Sequence, residues 1–185
     1  MFVNHSNIAK ASVPFTREIS NVLSSYPSLR VYQGEDTDGV DAILIGIVTT
    51  PKYREETFST RTETTSQASR KLISSTGGRA RFFIPTSTSY RTYLRLILIK
   101  NPTSQETQMA RSELVKYLQT NPMKIVFNHV MELEGSFGRE AGDTISPDSP
   151  GTVNFTKNKG NFEKSLSDTA KAAAIEFKET VLDVF

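Results

Sequence analysis

Three stretches of the chain carry strand patterns. Val40-Asp41-Ala42-Ile43-Leu44-Ile45-Gly46-Ile47-Val48 is apolar on both faces, with Ile43, Ile45 and Ile47 on one and Ala42, Leu44 and Val48 on the other. Such a run lies inside a sheet, covered on most of its area. Tyr90 to Lys100 is a second strand. Tyr93, Arg95, Ile97 and Ile99 face one way, and Thr92, Leu94, Leu96 and Leu98 face the other. The third runs from Lys124 to Phe137. Its alternation predicts Ile125, Phe127, His129, Met131 and Leu133 inward, against Asn128, Glu132 and Glu134 outward.

Helical spacing appears in three places. Phe15, Ile19, Val22, Leu23 and Tyr26 form one stripe over residues 13–26. Ser12 is a suitable cap there, Pro14 fits the first turn, and Pro27 stops the helix. Thr103 to Gln119 reads as an inserted helix with Met109, Leu114, Val115 and Leu118 as its stripe, ended by Asn121-Pro122. The strongest helix closes the chain. Phe162, Leu166, Thr169, Ala170, Ala173, Phe177, Val181 and Phe185 form a continuous stripe behind Asn161 as cap. The low bulk at Ala170, Ala173 and Ala174 suits close approach to a sheet.

Between these elements the chain is polar. Leu29-Arg30-Val31-Tyr32 reads as a short strand, and Gly34 to Gly39 as an acidic turn. Residues 55–89 are a long Ser- and Thr-rich excursion, either an extended β-ribbon or a mobile loop. Pro85 within it argues against a central strand. Residues 138–161 are rich in Gly, Pro, Asp and Asn and read as a loop. The expected fold is one α+β domain over residues 1–185. It has two layers: a mixed, mostly antiparallel sheet of about four strands, with two amphipathic helices on one face and an inserted helix.

Composition narrows the function. The 185 residues suffice for a core, and 37% hydrophobic with 23% charged residues is ordinary for a globular chain. A net charge of +2 predicts no nucleic-acid partner, which needs a concentrated basic stripe. With no Cys and only His5 and His129, thiol chemistry and a His-rich metal site are excluded. No stretch approaches the roughly 18 apolar residues of a membrane helix. Met1-Phe2-Val3-Asn4 reads as the end of a strand, which predicts a segment upstream of it.

Candidate chemistry is sparse. His129, on an apolar face, is expected to be a buried histidine bonded to a backbone carbonyl. Asp36, Asp38 and Asp41 lack the spacing of a calcium loop. Gly77-Gly78 and Gly135-Ser136-Phe137-Gly138 lack the context of a phosphate cradle. Asn4-His5-Ser6 and Asn154-Phe155-Thr156 match a glycosylation pattern that recurs by chance. No paired carboxylates or nucleophile motif stand out, so neither catalysis nor a cofactor is expected. Two basic clusters remain. Lys157 and Lys159 lie in the loop before the last helix, beside Phe155 and Phe162. Arg79 and Arg81 lie beside Phe82 and Phe83. A cation next to an exposed aromatic suits an amphiphile with anionic head groups and acyl tails. The alternative is a solvated charge with the aromatic turned inward.

These pieces together resemble the LPS-assembly lipoprotein family (LptE-like) of Gram-negative outer membranes. Phe2-Val3-Asn4 resembles the end of the family's first strand, and Val40-Asp41-Ala42-Ile43-Leu44-Ile45-Gly46 its Ala-Asp-Ala-x-Leu-x-Gly strand. Glu176 to Phe185 resembles its Ala-rich closing helix. The resemblance implies a non-catalytic lipoprotein on the periplasmic side of the outer membrane. It would be held by an N-terminal lipid anchor missing from this chain, and would plug a large β-barrel (LptD-like) that delivers lipopolysaccharide. It also implies that a lysine in the loop before the last helix contacts lipopolysaccharide, which points to Lys157 and Lys159. The excursion 55–89 and the inserted helix 103–120 are longer than the family's turns. Two alternatives stay open: a pilotin-like assembly factor, or a carrier of lipid or a small ligand on a related scaffold.

Overall fold

The computed structural model describes residues 2–32, 39–50, 55–61, 82–139 and 155–182. The strands among them are β1 (Phe2–Asn4), β2 (Ala42–Thr49), β3 (Glu55–Arg61), β4 (Phe82–Lys100) and β5 (Ile125–Gly138). The helices are α1 (Ser12–Ser24), α2 (Ser104–Ser112), α3 (Leu114–Thr120) and α4 (Phe155–Phe177). A 3-10 turn, Pro122–Lys124, precedes β5, and a π turn, Lys178–Leu182, follows α4. The fold is α+β, with helices packed on a mixed sheet. Residues 34–38 of the acidic turn and Gly77-Gly78 lie outside the described residues. The chain divides into two compact units: Met1–Lys52 with Arg91–Glu134 and Leu166–Phe185, and Tyr53–Tyr90 with Gly135–Ser165.

The first unit is built on the strand whose apolar run covers both faces. β2 pairs antiparallel with β4, Ile45 opposite Ile97, and parallel with β1, Phe2 opposite Gly46. β5 takes the other edge of β4. Ile45, Ile97 and Ile99 share one face and pack under α2 and α3 with Ala110 and Tyr117. Val48, Leu94, Leu96, Met131 and Leu133 are buried on the opposite face. That face belongs to α1, through Phe15 and Ile19, and to α4, through Ala170, Ala173 and Phe177. The Phe177 ring lies 6.0 Å from that of Phe127 on β5, and Arg17 of α1 donates to Ser167 of α4 at 3.1 Å. The alanines put no side chain beyond Cβ between helix and strands, which is why both faces close.

Local chemistry sets most of the boundaries. α2 opens with a capping box: Thr103 Oγ1 accepts from the Glu106 amide, and Glu106 Oε2 accepts from the Thr103 amide at 2.7 Å. α1 departs from expectation, since its cap position is Ala11 and Ser12 lies inside it, its carbonyl accepting from Thr16 Oγ1. Residues 29–32 form no strand. The inserted helix is two helices broken at Glu113, whose φ of −134° and ψ of 54° are not helical. The break shifts the buried phase, so Tyr117 is buried while Val115, expected in the stripe, is 69% exposed. His129 is exposed rather than buried. Among the described residues β5 is an edge strand, paired from one side by β4.

In the second unit β3 pairs antiparallel with the start of β4, Glu55 opposite Ser89. The polar excursion therefore begins and ends as a β-ribbon. The register slips between Thr57 and Phe58, which places Pro85 opposite Phe58 at the irregularity. That position reconciles Pro85 with a strand, because a slipped pair needs fewer ladder amides.

Candidate functional site

Lys157 and Lys159 belong to the second unit, and the structure corrects their setting. Both are helical, in the first two turns of α4, which starts at Phe155 rather than after a loop ending at 161. Asn158, Gly160 and Asn161 have the composition of a loop, but tertiary contacts override it. Asn158 is buried. Asn161, expected to cap the helix, lies inside it and donates from Nδ2 to the Gly138 carbonyl at 3.1 Å. Phe162 fits between Tyr90 and Phe137, with edge-to-face ring contacts at 5.5 and 5.3 Å. Tyr90 OH donates to Ser165 Oγ, which donates to the Ser136 carbonyl at 2.8 Å.

Phe162 is therefore turned inward and offers the lysines no exposed ring, while the side chain of Phe155 lies outside the described residues. The lysines themselves are exposed. Lys159 lies 3.8 Å from Glu163, with each side chain 65% exposed, so this contact is weak and screened. No acidic residue occupies the first turn of α4. The lysines thus add to the positive end of the helix dipole instead of opposing it, an arrangement that costs stability and favours an anion. Arg139 stacks over the Phe137 ring at 5.8 Å in the same unit. Arg79 and Arg81 lie outside the described residues.

One ionisable cluster among the described residues was passed over by the motifs. On the solvent face of the first unit, Arg91 Nε donates to Glu134 at 2.9 Å, Arg95 Nε to Asn128 Oδ1 at 2.8 Å, and Tyr93 OH to Glu132 at 3.4 Å. The Glu134 hydrogen bond and charge, then the Glu132 charge, hold the Arg91 guanidinium above its ordinary range. Alternation alone contained this signal, since it placed Tyr93 with Arg95 and Asn128 with Glu132 and Glu134. Under α2, the Lys124 ammonium bonds Glu106 at 2.6 Å and holds that carboxyl below its usual range, helped by the Thr103 amide. Burial, then the Glu106 charge, pushes the Tyr117 phenol up. Asn4, the first residue of a glycosylation pattern, spends its amide on the turn after β1. It donates to the Ile8 carbonyl at 2.8 Å and accepts from the Ser6 amide at 3.0 Å. The second pattern begins at Asn154, outside the described residues.

Among the described residues, no group of three or more His, Asp or Glu could hold a metal, and no helix is long and apolar enough to cross a membrane.

No protein-family model matches the chain, and no curated protein matches it in sequence. Among solved structures, a "putative lipoprotein" from Caulobacter crescentus CB15 is similar over 96% of this chain and 84% of that one, at 6% identity and a TM-score of 0.43. At that level the likeness carries no information about activity.

Proposed function

We propose that the chain is a non-catalytic, LptE-like lipoprotein of the outer membrane that assists lipopolysaccharide transport by occupying a β-barrel translocon. The observation that carries the reading is the exposed pair Lys157 and Lys159 at the positive end of α4. Phosphorylated head groups are matched by the positive end of a helix dipole and two exposed ammonium groups beside it. The strand motifs behind the resemblance are also neighbours: Phe2-Val3-Asn4 pairs directly with Gly46-Ile47-Val48. Lipopolysaccharide and a large barrel are the partners of this reading, and a lipid anchor is its mode of attachment.

The test is affinity purification of the natural, anchored protein from detergent-solubilised outer membranes, with mass spectrometry of what accompanies it. A large β-barrel in stoichiometric amount, carrying lipopolysaccharide, is the expected result. Recovery of a secretin or another envelope complex would replace the reading with that of an assembly factor.

A further inference from the structure

β5 pairs with β4 along one edge, and among the described residues no strand pairs with its other edge. From Ile125 to Glu134 that edge has no proline or glycine, the residues that most often blunt or bulge an edge strand. Its solvent face presents Val126, 42% exposed, and Val130, 54% exposed, on either side of Asn128. An edge of this length with unpaired amides is a template for one more strand.

We propose that a second copy of the chain occupies it, with the two β5 strands antiparallel about a two-fold axis at Asn128. The surface is self-complementary in that register, as a two-fold interface requires. Val126 of each copy meets Val130 of the other, so both exposed valine pairs are covered apolar against apolar. Asn128 meets its own copy. Its Oδ1 already accepts from Arg95 Nε at 2.8 Å, which orients the amide and leaves its NH₂ to donate across the axis. No like charges stand directly opposed along the paired strands. On the inner face Phe127 meets His129. Moving the axis to Val130 sets Val126 against Glu134, and a slip of one residue turns every side chain to the wrong face. The pattern therefore selects one register, and the joined sheet runs continuously through both copies. This inference stands on the sheet edge and does not depend on the lipopolysaccharide reading.

The chain has no cysteine, so an introduced one is a unique reporter. Val126→Cys and Val130→Cys are made separately in the full chain, mixed, and oxidised mildly. Both sites are exposed, and circular dichroism checks that each variant folds. Directly opposed residues are within disulfide reach, whereas each position lies four residues from its own copy, about 14 Å away. The mixture is expected to form disulfide-linked dimer at least about tenfold faster than either variant alone. Wild-type protein is expected to sediment as a concentration-dependent dimer that Val130→Glu dissociates. Equal cross-linking in the single variants and the mixture would overturn the proposal. So would a monomer at all concentrations, including one whose β5 amides resist hydrogen exchange because the chain's own residues cover the edge.

Discussion

Substitution of Gly46 by alanine tests the pairing of the two short strands that carry the resemblance. Gly46 lies opposite Phe2 in the parallel β1–β2 pair, and a Cβ placed there would fall within the Phe2 ring, against Cδ1, Cε1 and Cγ. The ring occupies the space that a side chain would need, so the cost is steric. Two responses are open to the protein. Overpacking with the ring in place costs about 1–3 kcal/mol. Rotating the ring outward forfeits the burial of a half-buried aromatic, about 1–2 kcal/mol at ordinary transfer energies. The cheaper route sets the outcome, so Gly46→Ala should cost about 1–2 kcal/mol and lower Tm by roughly 2–8 °C for a chain of this size. The assay is a double-mutant cycle by urea denaturation, with unchanged m-values as the check on two-state behaviour. Phe2→Ala alone should cost a similar amount. In that background Gly46→Ala should be close to neutral, giving a coupling of about 1 kcal/mol or more. Additive costs would refute the reasoning, because the methyl group would then be clashing with something other than the ring.

Two further predictions concern the apolar layer under α2 and α3. Among the described residues the buried Tyr117 hydroxyl has no hydrogen-bond partner. Tyr117→Phe should therefore raise stability, by about 1 kcal/mol, as the cost of an unsatisfied buried group is removed. Because burial raises the Tyr117 phenol, its protonated form stabilises the fold below its unfolded pKa, and that contribution is lost as pH rises through the folded value. Thermal melts above about pH 10 should accordingly lose less stability in Tyr117→Phe than in wild type. At the α2 cap, Thr103→Ala should cost about 1 kcal/mol by chemical denaturation. Glu106 is held below its usual range, so its contribution is present above its unfolded pKa and is lost as pH falls through the folded value. Glu106→Gln should flatten the acid side of the stability profile below about pH 5.

The strands were legible in the sequence because alternation is a direct consequence of pleat geometry. β2 and β5 begin and end close to the predicted positions, and the Asn128, Glu132 and Glu134 face points outward as read. α1 and the body of α4 were legible for the same kind of reason, their stripes being unbroken. The failures have separate physical causes. The start of α4 was hidden because Asn158, Gly160 and Asn161 are poor helix formers, and the burial of Asn158 and the bond from Asn161 to Gly138 hold them helical. β4 extends through Pro85 because a register slip, invisible to local pattern, receives it. The break at Glu113 moved burial from Val115 to Tyr117, and no turn residue announced it. His129 followed the alternation but not the burial, since alternation does not distinguish an edge strand from a central one. The helical setting of Lys157 and Lys159 was not legible in the sequence. The positive helix end beside them is a property of where α4 starts, which local composition masked.

The most direct measurement of the central claim is binding of purified lipopolysaccharide by wild-type protein and by the double variant Lys157→Ala with Lys159→Ala, across a salt series. The expected result is an affinity lowered by about tenfold in the variant, with a shallower salt dependence, from the loss of two charge-assisted contacts. Tm should be unchanged or slightly raised, because two cations leave the positive end of α4. Equal affinity and equal salt dependence in the two proteins would contradict the account.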